Sequence, residues 1–496
     1  MMTPAFADAV LPKLARMHEG FAPRVVDLFA GCGGMSLGFR KAGCSIIAGL
    51  ELDELRAQTH ALNFHPAATD LHGRSRDVTA ENPRELIRQL GGGADPEVDI
   101  LVGGPPCQAY ARVGRAKLRE IGNHPHAYLK DDRGSLYAAY VSWVEALQPV
   151  AVVMENVPDI LNYGGVNVAE IIAQNLDALG YEVRYTLLNA AHYGVPQTRE
   201  RLFLVGIHRA ADAVPAFPMP SHRLALPIGY RGTRAHAARW EHLSEADRPD
   251  HAVDLLDIDE ALPPAVSTHG ALGDLPTISE AAKLAQKRGA RDLGRRLPYS
   301  SGPANAYQRL MRTWSGFATR SDVSAHVIRS LPRDYEIFRR MQPGDDYPAA
   351  HRLAERMFEE RVEAARASGA AMPVGSPEWE RLRRETVPPY DPGKFPNKWR
   401  KLERDFPSRT LMAHLSHDSY SHIHYADDQA RTISVREAAR LQSFPDGFEF
   451  CGAMNAAFGQ IGNAVPPLLA FNVATALQDT LQQAAGAPPV LRRKTG

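Results

Sequence analysis

Val25-Val-Asp27-Leu-Phe29-Ala-Gly31-Cys-Gly33-Gly34 is the stretch from which the fold follows. Val25–Phe29 is a short apolar run, and such a run ending in glycines reads as a buried strand. The glycines allow a tight turn and a close backbone approach to a ligand. A helix is expected from about Gly34 to Ala42, and Ser45–Leu50 reads as a second strand. Outward from this strand–helix–strand unit, Val98–Val102, Val150–Met154, Tyr181–Leu188 and Arg201–Ile207 read as further strands, the last two as a possible antiparallel pair. Short apolar runs alternating with longer amphipathic segments predict an α/β fold with a doubly wound sheet.

The bulk composition sets the frame. The chain has 496 residues, 44% of them apolar and 23% charged, which suits a globular protein of two or three domains. No run of eighteen apolar residues appears, so no membrane span is expected. Met1–Phe21 lacks the apolar core of a secretory signal. The four cysteines (Cys32, Cys44, Cys107 and Cys451) form no CxxC pair. That disfavours a zinc knuckle or disulfide framework and favours a reducing, cytoplasmic compartment. The 57 basic and 57 acidic residues balance, which leaves room for a local basic cleft. Basic stretches at 283–296 and 398–409 are candidates for one, although a solvated helix face is the plainer reading.

The loop 27–34 has neither the GxGxxG nor the Walker pattern. Glu51 ends the second strand twenty residues after Gly31, where a carboxylate can take both hydroxyls of a ribose. Asp77, in Arg76-Asp77-Val78, is placed to accept from an adenine amino group. A nucleoside without a pyrophosphate fits this set better than a dinucleotide does.

Gly103-Gly-Pro105-Pro-Cys107-Gln108 follows the third strand, at the end where open α/β sheets carry their sites. The prolines stiffen the turn. A thiol of pKa ~8.5 is mostly protonated at neutral pH, so a working nucleophile needs help from its surroundings. Glu155-Asn-Val157 ends the next strand, and Gln197-Thr-Arg199-Glu-Arg201 brings two guanidinium groups. A lone cysteine is usually a small core residue; one after Pro-Pro at a strand end, with a carboxylate ending the next strand, is a candidate nucleophile.

These stretches resemble the bacterial and phage DNA (cytosine-5)-methyltransferase family. The matching segments are DLFAGCGG, Glu51-Leu52-Asp53, GGPPCQ, Asp132–Leu136, ENV, QTRER, Thr432–Gln442 and Gln460–Pro466, in the family's order. The resemblance implies a Rossmann-like S-adenosylmethionine-dependent domain with a smaller, mixed target-recognition domain. Cys107 would add to C6 of cytosine, a protonated Glu155 would donate to N3, and Arg199 and Arg201 would orient the carboxyl and the base carbonyl. S-adenosyl-L-methionine would lie against Asp27, Phe29, Gly31, Gly33, Glu51, Leu52, Asp77, Val78, Pro105, Leu136 and Asn463, with no metal. A base inside a duplex is unreachable, so double-stranded DNA bound with the target base flipped out is implied. Gln108 would contact DNA, as would Arg112 and Arg115 from the segment 109–131, where Tyr110-Ala111 replaces the family's usual Phe-Ser. Tyr425 likewise replaces a usual proline.

The implied organisation is a catalytic domain over 1–214, target recognition over 215–430, a return to the catalytic domain over 431–481 with a last helix led by Asn463, and a disordered tail over 482–496. A monomer in the cytoplasm is expected, near the bacterial nucleoid, with or without a cognate restriction endonuclease acting independently. Two rivals stand beside this reading: an RNA cytosine-5 methyltransferase, disfavoured by the long insert, and a non-catalytic DNA-binding relative, disfavoured by the intact nucleophile and loop. Gly-Pro-Pro-Cys argues against an amino-methyltransferase, which carries Asp/Asn-Pro-Pro-aromatic there.

Overall fold

The computed structural model describes residues 4–91, 97–106, 136–163, 165–224, 248–254, 256–278, 292–417 and 420–484. The chain divides into two compact units. One comprises 1–265, 449–451 and 464–496; the other comprises 266–448 and 452–463.

The first unit is built on a six-stranded sheet of β1 (Arg24–Leu28), β2 (Ser45–Leu50), β3 (Ile100–Gly103), β4 (Ala151–Asn156), β5 (Tyr181–Asn189) and β6 (Glu200–His208). The spatial order is β2-β1-β3-β4-β6-β5. The first four run parallel, and β6 pairs antiparallel with both β4 and β5. All six anticipated strands are present, including the antiparallel last pair. Strands β3 and β4 are continuous apolar runs buried almost throughout, as expected where helices cover both faces. The connecting helices include α2 (Gly34–Lys41), α3 (Glu54–Phe64), α4 (Pro83–Gly91), α5 (Leu136–Leu147) and α6 (Val168–Ala178). Asp53 caps α3 by accepting from Arg56 N at 3.1 Å, and Asn167 caps α6 by accepting from Glu170 N at 3.2 Å. An N-terminal helix, α1 (Pro4–His18), ties itself down through Lys13, whose ammonium donates to the carbonyls of Leu147 and Gln148 at 2.8 Å each.

The segment after β6 does not leave this unit at residue 214. Tyr185 N donates to His251 O, and Val253 N donates to Tyr185 O, both at 2.9 Å. His251 Nδ1 also lies 2.7 Å from Glu170. The chain returns with α14 (Pro467–Ala484), which packs on α2. Helix α14 starts at Pro467; Asn463 instead ends the preceding helix, and residues 482–484 are helical.

The second unit holds α7 (Thr268–Leu272), α8 (Ala306–Thr313), α9 (Tyr335–Arg340), α10 (Tyr347–Ala367), α11 (Pro377–Thr386), α12 (Val435–Leu441) and α13 (Met454–Asn463), with a short parallel pair of β7 (Trp399–Lys401) and β8 (Tyr420–Ile423). One apolar core gathers Tyr335, Phe338, Tyr347 and Trp399. The 398–409 stretch is not a solvated helix face. It contains β7, and Lys401 is buried, donating to the carbonyls of Phe338 and Met341 at 3.0 and 2.7 Å. Of the other basic stretch, 283–291 lies outside the described residues.

Helix α12 belongs to this unit because of its charges. Arg440, fully buried, donates to Asp446 at 2.6 Å from Nε and Nη2, and to Asp274 Oδ1 and Ala271 O at 2.8 Å from Nη1. Arg431 grips Glu437 in a bidentate pair at 2.7 and 2.8 Å. Tyr425, where a proline was expected, lies 2.8 Å through its hydroxyl from His269 Nδ1 and stacks on His424. Among the described residues no helix is long and apolar enough to cross a membrane.

The α2–α14 contact is tight at Gly38. A Cβ there would stand 2.5 Å from both Ala470 Cβ and Phe471 N. Gly38→Ala should therefore destabilise the protein by about 1–3 kcal/mol, the usual cost of overpacking, read as a lower urea midpoint.

Candidate active site

Strand register places the site. Leu50 pairs with Leu28, Leu28 with Gly103, and Gly103 with Met154. The next residues of four adjacent parallel strands, Glu51, Phe29, Gly104 and Glu155, therefore emerge along one sheet edge. Antiparallel β6 begins at the same edge, with Asn156 opposite Leu202, so Arg201 arrives beside Glu155.

On the β1–β2 side, the backbone after Leu28 turns sharply through positive φ at Phe29, Gly31 and Gly33 (59°, 56° and 98°). Gly31 N donates to Glu51 Oε2 and Asp53 N to Glu51 Oε1, both at 2.9 Å. Each Glu51 oxygen thus takes one backbone donor and keeps acceptor capacity for a ligand hydroxyl. Arg76 N donates to Glu51 O at 2.8 Å, which brings Asp77 to this place. Asp77 is exposed, with Oδ1 holding Thr79 N and Oγ1 at 2.9 and 2.7 Å. Leu52 is 64% exposed, an apolar platform at the strand end, while Val78 is buried. Asp27 is buried and faces Ser36, whose N–H and hydroxyl donate to its Oδ2 at 3.2 and 2.6 Å. Burial pushes its carboxyl up to about 7. A Cβ at Gly31 would meet open space, so the loop leaves room for a ligand against its backbone. These features fit a nucleoside methyl donor.

On the β3–β4 side, Glu155 and Arg201 form an ion pair, Oε1 to Nε 2.9 Å, with side chains 12% and 13% exposed. Burial pushes the Glu155 carboxyl up, against the opposing pull of Arg201 and then Arg199. Arg199 is 2% exposed, and burial, then Arg201, disfavours its charge; a guanidinium stays protonated regardless. Gly104 has a reason to be glycine, since a Cβ there would lie 3.2 Å from Glu155 Oε2. Asn156 Nδ2 donates to Pro105 O at 3.0 Å and Asn156 Oδ1 accepts from Val157 N at 2.9 Å. This clamp fixes the turn two residues before Cys107. Sequence reasoning quoted Asn156 as part of a motif without seeing this role.

Cys107, Gln108, Arg112 and Arg115 lie outside the described residues, as does the whole span 107–135. Leu136 opens α5. Cys32 and Cys44 are buried, and burial pushes both thiols up to about 12, which makes them inert. Asn463 ends α13 in the second unit; the residues after it, Ala464 and Val465, pack on Gly34. Among the described residues no group of three or more His, Cys, Asp or Glu side chains is arranged to hold a metal ion.

An open, mostly parallel sheet with a glycine loop, a ribose-ready carboxylate and a buried acid along one edge defines a Rossmann-like methyltransferase. The chain belongs to the C-5 cytosine-specific DNA methylase family, whose model matches residues 23–268 and 317–479. It is 40% identical over 463 residues to the "Putative type II methyltransferase M.OihORF3336P" of Oceanobacillus iheyensis, covering 93% of this chain and 96% of that one. It is 32% identical to type II methyltransferase M.AgeI of Thalassovita gelatinovora, covering 90% and 97%. The crystal structure of a prophage-encoded protein of E. coli has the same fold, at a TM-score of 0.58 and 20% identity over 93% of this chain and 99% of that one. The protein is thus a DNA cytosine-5 methyltransferase, and its family implies S-adenosylmethionine as the methyl donor.

Arg201→Met would leave the Glu155 carboxylate buried without its ion-pair partner. The loss should approach the about 3–5 kcal/mol of a broken buried pair at neutral pH. The Glu155 carboxyl would then rise further, so the loss should shrink as pH falls from the variant's folded carboxyl range to the wild type's, both above the unfolded value, and the buried acid takes its proton. Chemical denaturation at pH 4.5 and 7.5 checks both size and sign.

Proposed function

We propose that this enzyme methylates C5 of a flipped-out cytosine in a specific duplex sequence through a covalent Cys107–C6 adduct. The observation that carries this reading is the Glu155–Arg201 pair at the strand edge, beside the Asn156 clamp on Pro105. Cytosine C5 is a weak nucleophile. Addition of the Cys107 thiolate to C6 pushes the ring electrons toward C5 and N3. A Glu155 carboxyl held up by burial donates its proton to N3, and Arg201 and Arg199 orient the carboxyl and the base carbonyl. C5 would then take the methyl group that S-adenosylmethionine supplies, leaving S-adenosylhomocysteine; loss of the C5 proton to water and return of the N3 proton to Glu155 would restore the ring as the C6–S bond breaks and Cys107 leaves as thiolate. Glu51 would hold the ribose and Asp77 the adenine amino group, with Phe29, Leu52 and Val78 around the adenine. Gln108, Arg112 and Arg115 would meet the DNA. Asn463 would help complete the cofactor side.

Target choice is assigned to residues 215–430, because the motifs that perform chemistry on any cytosine carry no information about its neighbours. The names of the relatives favour a modification enzyme of a type II restriction system. We assign it a monomeric role on double-stranded DNA in the bacterial cytoplasm, at the nucleoid, with any partner endonuclease acting independently.

Cys107→Ser should lose methyl transfer while keeping cofactor affinity, and the wild type should form a stable adduct with a duplex carrying 5-fluorocytosine. Normal turnover by the serine variant would sink the covalent route. Glu155→Gln should bind DNA yet react about 10²–10⁴-fold more slowly, the usual span for general acid–base catalysis; a full rate would leave the carboxyl a structural role only. Grafting residues 215–430 into a relative with another target should move the methylated sequence with the graft, read by bisulfite sequencing. An active chimera that keeps the recipient's target contradicts the assignment. Binding should also weaken steeply with added salt, as phosphate contacts require.

A further inference from the structure

His60 has no place in the chemistry above, yet it is fully buried directly behind the glycine loop. It sits on α3, the helix after β2, and its ring stacks on Phe64 with centroids 4.5 Å apart. Two glycines make room for that ring. A Cβ at Gly49, two residues before Glu51, would stand 2.3 Å from His60 Cε1 and Nε2. A Cβ at Gly33 would stand 3.0 Å from His60 Cδ2 and 2.4 Å from Phe64 Cε2. The ring therefore touches both walls of the nucleoside cradle from behind: the loop after β1 and the strand end that carries Glu51.

Its polar edge is committed as well. His60 Nε2 lies 3.0 Å from Ser36 Oγ. The single hydroxyl proton of Ser36 goes to Asp27 Oδ2 at 2.6 Å, and that oxygen also accepts Ser36 N–H at 3.2 Å. With Asp27 ionised, Ser36 Oγ accepts from the ring, and His60 is then the Nε2–H tautomer. Its Nδ1 carries the lone pair and has no partner among the described residues. Burial, followed by the neighbouring His65 and His72, holds the ring neutral. A buried imidazole with one nitrogen unused is a costly way to fill space. A phenyl ring or a leucine would fill it without that cost. The N–H to Ser36 is what those residues could not supply.

We propose that His60 is a positioning residue for the methyl donor: through Ser36 it holds Asp27 and the glycine loop in the shape that binds the nucleoside. This rests on the reading of Glu51 and the 27–34 loop as the nucleoside site, so the test begins with the wild-type protein. Calorimetric titration with S-adenosylhomocysteine should show one site. His60→Leu should bind it roughly 10-fold more weakly, the scale of one lost buried hydrogen bond, and should raise KM for S-adenosylmethionine alike. Its kcat at saturation, DNA affinity and melting temperature should stay close to wild type. His60→Gln, which can return an N–H to the same position, should recover most of the affinity. Ser36→Ala should match His60→Leu, and the double variant should lose little more, since both cut the same chain. If the leucine variant does not fold, the serine variant alone decides. Wild-type binding with unchanged affinity in His60→Leu or Ser36→Ala overturns the proposal. So does an equal loss in His60→Leu and His60→Gln, which would mean ring volume alone matters. A wild type that fails to bind S-adenosylhomocysteine overturns the reading of the site itself, and this proposal with it.

Discussion

The site depends on four parallel strands ending in one row. Neighbouring strands lie roughly 4.8 Å apart. From β2 to β4 there are three such steps, so Glu51 and Glu155 leave the sheet on the order of 14 Å apart. Strand β3 lies between β1 and β4 and carries the turn that leads to Cys107. The antiparallel strand β6 adds Arg201 at the same edge because it starts where β4 ends. A parallel strand in that position would have placed its start at the far end of the sheet.

Carboxylates paired with arginine occur in both units, and their surroundings make them do different things. Asp446 and Glu437 are buried, and the guanidinium groups around them hold their carboxyls below the usual range. Asp446 takes both Nε and Nη2 of Arg440 and the hydroxyl of Tyr299, and Glu437 takes two donors from Arg431 and one from Ser434 N. These are saturated, fixed charges that hold α12 in place. Glu155 is buried too, but burial outweighs Arg201 and Arg199, and its carboxyl moves up instead. The direction of the shift separates these saturated pairs from the Glu155–Arg201 pair, where burial wins.

What was legible in the sequence follows from these physical differences. The six strands of the sheet are apolar runs, and Glu51, Gly104 and Glu155 follow directly on strand ends, so pattern alone located them. The division of the chain was not legible. The strand-like bonds between Tyr185 and residues 251–253 join segments some 65 residues apart with no periodic signal, and they keep 251–253 with the sheet. Helix α12 has a clear Ser434–Glu437 capping box, so its presence could be read. Its burial could not, because Arg436, Glu437 and Arg440 look like a solvated face until their partners are known. His60 was invisible for the same reason: one histidine in an amphipathic helix carries no mark of what lies behind it.

The second unit combines a small apolar core with an ionic anchor. Its core gathers Tyr335, Phe338 and Tyr347 from one stretch of chain and Trp399 from β7. The anchor is ionic. Asp274 takes Arg440 from α12 and Arg312 Nε at 2.8 Å, and Arg312 in turn lies over the Tyr299 ring. Asp274, Tyr299 and Arg312 fall within 269–316, the span outside the family match, whereas Arg440 lies inside it. Breaking such a buried pair by losing one member costs several kcal/mol. The segment that carries Asp274, Tyr299 and Arg312 is therefore pinned to α12 at Asp274.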